Sequence, residues 1–313
     1  MAMNRTTFQD LTGVSQALRE IYNQEFKDPD VDISQVFNVV LSTSAEEKDL
    51  TTFGIDDLQD VGEGGETPYG EPGEGYSTTY AHKTYKGGLV VTEEMLDDDQ
   101  YRFIVQRTKM IAKAARYTPL AYAMKFFQNA FTANPAGYGN YNGGTLALCS
   151  SAQTYEDGSS GTQSNYTTLK LTYDNFDAGI EALYTQKTTE GRLLSWTGKP
   201  KLVVGPHRKK TAIEITDSEL DPSTANNAIN VYKGATADVV VNPWLSTAGG
   251  SSAYQEYWFL IAPDSKLNFF WRKKPVYLTD VDTDNHTIKS NVRARWSAGA
   301  SDWRGFYGST GSA

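Results

Sequence analysis

Cysteine is nearly missing from this chain. Cys149 is the only one among 313 residues, so neither an internal disulfide nor a cysteine-based metal cluster can form. A reducing cytosol suits such a chain. Long apolar runs are missing as well. No stretch approaches the roughly 18 consecutive apolar residues of a membrane span, and Met1-Ala2-Met3-Asn4-Arg5 leads into a polar amphipathic segment rather than an apolar signal core. The expectation is a protein neither exported by such a signal nor embedded in a membrane, with no propeptide removed. Histidine is scarce: His82, His207 and His286 lie in no nucleophile elbow, zinc pair or kinase-type catalytic segment. No internal repeat is present. Positive charge is in deficit, 29 Lys and Arg against 38 Asp and Glu, and the net charge of −9 opposes nucleic-acid binding by the whole surface while permitting a local basic stripe.

What is present is a globular composition. Hydrophobic residues make up 39% of the chain, including 13 Phe, 6 Trp and 19 Tyr, too aromatic for a disordered polymer. The length suggests two domains, or one large domain with extensions. Thr6-Thr7-Phe8-Gln9 reads as a capping box, and Leu11, Val14, Leu18, Ile21 and Tyr22 then recur at helical spacing until Asp28-Pro29. An apolar run from Val36 to Leu41 follows, and the charged patch Glu46-Glu47-Lys48 marks a boundary.

Beyond that patch the chain changes character. No lysine or arginine occurs between Lys48 and His82, whereas Asp49, Asp56, Asp57, Asp60, Glu63, Glu66, Glu71 and Glu74 are all acidic. The middle, Gly62 to Gly75, holds six Gly and two Pro and has too little apolar surface to offset its own ordering entropy. Leu50 to Ile55 on one side, and Tyr76, Thr78, Tyr80 and His82 alternating on the other, predict the two strands of a long projecting hairpin.

Thr92 to Leu96 reads as a short helical turn, and Asp97 with Gln100 as a second capping box. A long helix should follow, with Ile104, Thr108, Ile111 and Ala115 on one face and Arg102, Lys109, Lys113 and Arg116 in a stripe opposite. It can continue to Phe131, with a kink near Tyr117 imposed by Pro119. Residues 134 to 165 form a long polar connection that opens a second domain. A helix from Leu171 toward Gly191 then leads into strands at Leu202 to Val204, Val239 to Val241, Trp258 to Ala262 and Leu267 to Trp271, with a helix after Pro206. Val276 to Leu278 and Asn291 to Trp296 are two further strands before a Gly/Ser tail. The fold class is α+β.

Sharper chemistry is not encoded. The Gly62 to Gly75 segment lacks the Gly-Lys-Ser/Thr ending of a phosphate loop and places glutamates where phosphate would sit. Asp280, Asp282 and Asp284 copy the first ligands of a calcium loop, but Asn285 stands where Gly is needed and Asn291 where Glu is needed, so a solvated hairpin turn is expected. Glu93-Glu94 suits a helix start better than glycoside chemistry. Trp244, Trp258 and Trp271 lie in or beside strand-like runs, where core packing outweighs a carbohydrate platform. No catalytic, cofactor or metal residue is assigned.

The order of elements, and the wording K-T-Y-K-G-G-L-V-V-T-E-E-M-L at Lys83 to Leu96, P-K-L-V-V-G-P at Pro200 to Pro206, N-P-W-L at Asn242 to Leu245 and W-F-L-I-A at Trp258 to Ala262, resembles the tailed-bacteriophage major capsid proteins of the Hong Kong 97-like fold. Encapsulin shells share that fold. The resemblance implies an N-terminal arm over 1–48, an extended E-loop hairpin over 49–91, a peripheral domain with its spine helix over 92–165 and 266–313, and an axial domain over 166–265. It implies a non-enzymatic subunit of the virion capsid, assembled in the host bacterial cytoplasm into hexamers and pentamers of an icosahedral head around double-stranded DNA. Portal and decoration proteins are implied partners, with no cofactor and no membrane. A separate scaffolding protein is expected, because the built-in scaffolding region of some relatives, about a hundred residues, exceeds any disposable segment here. The lysine-to-asparagine cross-links of certain relatives are not expected, since Lys83 and Lys86 lie at the hairpin's base and its tip has no lysine. The intersubunit tip would comprise Gly62, Glu63, Gly64, Gly65, Glu66, Glu71, Glu74 and Gly75. Its receiving groups would come from Arg208, Lys209, Lys210, Arg272, Lys273, Lys274 and the stripe Arg102, Lys109, Lys113 and Arg116, which is also the candidate DNA-facing surface. The alternatives are an encapsulin-like compartment and, from another class, a carbohydrate-binding or hydrolytic tail protein.

Overall fold

The computed structural model describes residues 11–54, 57–98, 101–139, 141–157, 161–223, 228–234 and 236–312. Thr6 to Gln9 and Gln100, and with them the two expected capping boxes, lie outside the described residues, as does Ile55. The elements run α1 (Leu11–Glu25), α2 (Asp30–Ile33), β1 (Asn38–Leu41), β2 (Glu46–Phe53), β3 (Gly73–Ala81), β4 (Lys83–Thr92), α3 (Glu93–Asp97) and α4 (Tyr101–Lys125). There follow β5 (Gln153–Thr154), β6 (Thr162–Gln163), β7 (Tyr166–Thr167), α5 (Tyr173–Tyr184), β8 (Lys201–Val204), α6 (Lys209–Asp217), β9 (Asp238–Val241), β10 (Trp258–Ile261), β11 (Leu267–Asp282), β12 (Thr287–Ala300) and β13 (Phe306–Ser309). Two compact units result. One gathers residues 1–45, 81–123 and 269–297, and the other residues 46–80, 124–268 and 298–313, the first cut falling at the charged patch Glu46-Glu47-Lys48.

The first unit is built on a four-stranded sheet in the order β1-β11-β12-β4. β12 and β4 pair antiparallel from Thr287 opposite Thr92 to Trp296 opposite Lys83. The helical spacing in α1 is realised, with Val14, Leu18, Ile21 and Tyr22 buried against Leu89, Val91, Ile104, Ala112, Tyr277, Ile288 and Val292. Burying side chains of this size removes roughly 1.5 to 3 kcal/mol each of unfavourable hydration, which is what docks both helices. Thr92 caps α3 by accepting from the Met95 amide at 3.4 Å. α4 runs through Pro119 to Lys125 and continues as a 3-10 helix over Phe126–Asn129, close to the expected limit at Phe131. Pro119 is buried and cannot donate to the preceding turn; the Thr118 hydroxyl beside it donates to the Ala114 carbonyl at 2.8 Å.

The second unit carries a five-stranded sheet, β7-β13-β10-β8-β9, in which β10 runs antiparallel to both β13 and β8 while β8 and β9 are parallel. α5 is capped by Thr172, whose hydroxyl accepts from the Asn175 amide at 3.2 Å. It ends at Tyr184 instead of near Gly191 and packs Phe176 and Leu183 with Leu202, Val204, Trp258, Leu260 and Tyr307. The wording at 200–206 and 242–245 has a shared cause. A Cβ on Gly205 would lie 2.0 Å from the Leu245 carbonyl oxygen, and Asn242, fully buried, donates its side-chain amide to the Met124 carbonyl at 2.9 Å while accepting from the Trp244 amide at 3.0 Å.

Two readings of the C-terminal region need correction. The strands expected at 267–271 and 276–278 are one strand of 16 residues: the backbone pairing runs on through the polar run Arg272-Lys273-Lys274, where the burial alternation lapses and then resumes at Tyr277. The expected Gly/Ser tail is interior: β13 is buried throughout, and a Cβ on Gly308 would meet Cys149 Sγ at 2.7 Å and Phe259 at 2.9 Å. That glycine marks a close approach within a sheet, not a flexible end.

Candidate assembly interface

The hairpin forms as its alternation predicts. β2 and β3 make a two-stranded sheet, and Thr78 and Tyr80 turn inward and are fully buried. Tyr80 donates to or accepts from the Ser301 hydroxyl at 2.5 Å, and burial raises its phenol well above the ordinary value. The root is held by polar contacts within the second unit. The Gly54 amide donates to Glu190 at 2.9 Å, Arg192 meets Asp57 at 2.5 Å, and the Tyr76 hydroxyl donates to the Tyr155 carbonyl at 3.0 Å. Beneath it, Arg304 is 8% exposed and donates to Glu156 at 2.9 Å and to Asp302 at 3.2 Å, with Glu156 itself only 3% exposed.

The tip is different. Every residue from Asp57 to Pro72 is exposed, including Gly62, Glu63, Gly64, Gly65, Glu66 and Glu71; Glu74 is also exposed, while Gly75 sits half-buried at the root beside Thr51 and Glu156. Leu58 and Tyr69 are 102% and 91% exposed, so large apolar side chains stand in water among carboxylates. A single chain gains nothing from this arrangement.

The basic stripe of α4 is where the periodicity places it, but it is not uniform. Arg102, Lys109 and Lys113 are exposed, whereas Arg116 is half-buried and pairs with Asp32 at 2.5 Å, and Lys113 lies 3.5 Å from Glu25. Of the other candidate cations, Arg208 is committed to Glu256, donating through Nε at 2.8 Å, and Lys274 pairs with Asp30 and, at 3.2 Å, with Asp28. The hydrogen bond to Asp30 leads the effects that raise the Lys274 ammonium above its ordinary value. Lys210 reaches Glu214 at 3.6 Å within its own helix, Lys209 and Lys273 are exposed, and Arg272 is half-buried. Arg208 to Lys210 belong to the second unit and Arg272 to Lys274 to the first.

Two features escaped the sequence reading although the sequence signals them. No acid occurs from residue 100 to 155, where Arg102, Arg107, Lys109, Lys113, Arg116 and Lys125 are the charged residues, a mirror image of the base-free hairpin. Second, Lys86 of β4 and Arg293 of β12 are exposed and stand directly opposite each other. Like charges so placed repel, and an acid from elsewhere would relieve them.

The remaining candidate chemistry is structural. Asp282 accepts from the Asp284 amide at 3.2 Å and pairs with Lys289 at 2.5 Å across the β11–β12 turn, so the expected solvated turn is what the three aspartates form. Lys289 first, then Asn285, pull the Asp282 carboxyl down to about 2. Trp258 and Trp271 are core residues, 0% and 1% exposed. Cys149 is buried and its thiol pushed up by burial, which keeps it unreactive. Among the described residues no group of three or more His, Cys, Asp or Glu is placed to hold a metal ion, and no helix is long and apolar enough to cross a membrane.

The chain is thus a mixed helix-and-strand fold with a solvent-exposed acidic tip and charge-segregated segments. Comparison places it. The sequence matches the family model described as phage capsid protein over residues 75–309, and the chain belongs to that family. Its structure is similar to a chain of Mycobacterium phage Adephagia, at 11% identity over 89% of each chain with a TM-score of 0.50. It is similar to the mature capsid of bacteriophage PhiM1, at 11% identity over 88% of this chain and 84% of that one with a TM-score of 0.51. The capsid of Myoviridae phage XM1 gives 11% identity over 87% and 88% with a TM-score of 0.50. At such identities the likeness is one of fold. No curated protein matches the chain. The protein is thus a capsid component of a phage virion, and capsid assembly makes it homo-oligomeric. The acidic tip precedes the matched residues almost entirely, so the family assignment does not depend on it.

Proposed function

We propose that the chain is the major shell subunit of a tailed-phage head, of the Hong Kong 97-like type. Hexamers and pentamers close an icosahedral wall around double-stranded DNA, and the subunit carries out no catalytic turnover and needs no cofactor. In this reading residues 1–48 serve as the N-arm, 49–91 as the extended loop, 92–165 and 266–313 as the peripheral domain and 166–265 as the axial domain. Assembly takes place in the host bacterial cytoplasm with a separate scaffolding protein, a portal and a decoration protein, and DNA is met only by weak non-specific contact.

The observation that carries the proposal is the exposed tip, residues 57–72, with Leu58 and Tyr69 in water inside a chain of the capsid family. A neighbouring copy supplies the burial, and its exposed cations, Lys86, Arg293, Lys209 and Lys273, face the carboxylates. Each exposed pair is worth about 0 to 1 kcal/mol, so the stabilisation comes from repetition around the shell. Lys113, Arg116, Arg208 and Lys274 contribute less because intramolecular acids already hold them.

Particles purified by sedimentation and imaged by cryo-electron microscopy test this. Closed shells with nuclease-protected DNA are expected. Compact monomers under every assembly condition would refute it, and shells filled with cargo protein and free of DNA would favour an encapsulin-like compartment.

A further inference from the structure

The solvent face of α4 carries more than charge. Phe103, Met110 and Tyr117 are 44%, 62% and 59% exposed. They recur at every seventh residue and, with Arg107 and Ala114, fall within an arc of roughly 80° at 100° per residue. The ridge so formed is about 21 Å long at 1.5 Å per residue. The Arg107 guanidinium lies over the Phe103 ring, 4.0 Å from its centroid, which fixes a planar cation on the ridge. Arg102, Lys109 and Lys113 occupy one flank, and no acid lies on this helix. Beside Tyr117 the surface opens into a cleft of about 460 Å³ lined by Glu25, Lys27, Lys113, Arg116, Tyr117 and Leu120.

Single exposed apolar residues need no explanation. Three in line at seven-residue spacing are another matter, because that is the interval at which side chains of a second helix interlock with the first. We propose that this face docks an acidic amphipathic helix from a partner polypeptide. Its apolar side chains would pack along Phe103, Met110 and Tyr117, and its carboxylates would lie toward Arg102 and Lys109. Charge complementarity and spacing together select this occupant. Duplex DNA would use the cations but leave the apolar ridge in water. An extended strand repeats every second residue and does not match the ridge. The inference rests on the shell reading only in taking a partner polypeptide to be present at assembly.

The test uses the full-length protein and a labelled synthetic 21-residue helical peptide with Leu at the heptad a and d positions and Glu at e and g, followed by fluorescence anisotropy. Saturable binding in the micromolar range is expected, weakened about tenfold or more by Met110→Glu. Met110→Leu and deletion of residues 62–72 should leave it within about twofold. Met110 is exposed, so thermal melts should show both variants folded. Absence of saturable binding, loss of binding on tip deletion, or unaltered binding by Met110→Glu together with full competition by a duplex oligonucleotide would each overturn the proposal. DNA-filled particles from a protein that ignores the peptide would remove this inference and leave the shell reading standing.

Discussion

Two segments of this chain, the hairpin over 49–81 and the long helix with the connection after it over 100–155, are opposites in charge and in self-sufficiency. The first contains no base and the second no acid. The helix buries Ile104, Thr108 and Ala112 against its own unit and so has a folded place whether or not another copy is present. The hairpin buries Thr78 and Tyr80 at its root and nothing at its tip. Both segments keep most of their charge in water, but the helix has a dry face along its length and the hairpin has one only at its root. In the shell reading proposed above, this charge segregation serves association between copies.

The largest effect is expected at the hairpin's root. Glu156→Ala leaves Arg304 buried with a weakened counter-charge and should cost about 3 to 5 kcal/mol of subunit stability in denaturant titrations. A loss under about 1 kcal/mol would mean that the root is not the fixed point described. Next, Ile104→Ala should cost about 2 to 5 kcal/mol, whereas Arg102→Ala, on the opposite face of α4, should stay within about 0.5 kcal/mol. Equal effects would erase the one-sidedness of the helix. Leu58→Ala combined with Tyr69→Ala should alter isolated-subunit stability by less than about 0.5 kcal/mol yet slow shell formation as followed by light scattering. A destabilised monomer with unchanged assembly would reverse the roles assigned to the two segments.

The smallest effect concerns the β11–β12 turn, where charge pairs locally instead of waiting for a partner. Asp282 should titrate near 2 by carbon-13 NMR and move toward its ordinary 3.8 in Lys289→Ala. A depressed carboxyl stabilises the fold above its unfolded value and loses that contribution as the pH falls through the folded one, so the turn should loosen between about 4 and 2. An unshifted Asp282 in the parent protein would dissolve the contrast between satisfied and unsatisfied acids.

Much of the architecture was legible because local period and burial agree. Val14, Leu18, Ile21 and Tyr22 repeat at helical spacing and line a core, Tyr76, Thr78 and Tyr80 alternate along a strand, and Trp258 to Ile261 forms a wholly buried strand. The errors share a physical origin in long-range packing. Arg272-Lys273-Lys274 looks like an interruption until Lys274 meets Asp28 and Asp30, which are about 240 residues away in sequence. Gly305, Gly308 and Gly311 look like a tail until neighbouring side chains and, at Gly311, the Glu256 backbone fill the space where a Cβ would go. In the interface, the acidic tip and the stripe of α4 were readable, but the prior engagement of Arg116 and Arg208 was not, since their acids come from distant segments. The ridge Phe103, Met110 and Tyr117 is not legible from periodicity, because a seven-residue apolar repeat on a helix looks the same whether its face is buried or exposed.

Amide hydrogen exchange of residues 57–72, compared between the dissociated subunit and the assembled shell, separates a tip that waits for a neighbour from one already folded on its own subunit. Rates near those of an unstructured peptide in the subunit and at least about a hundredfold slower in the shell are the predicted result. Strong protection already present in the dissociated subunit would contradict it.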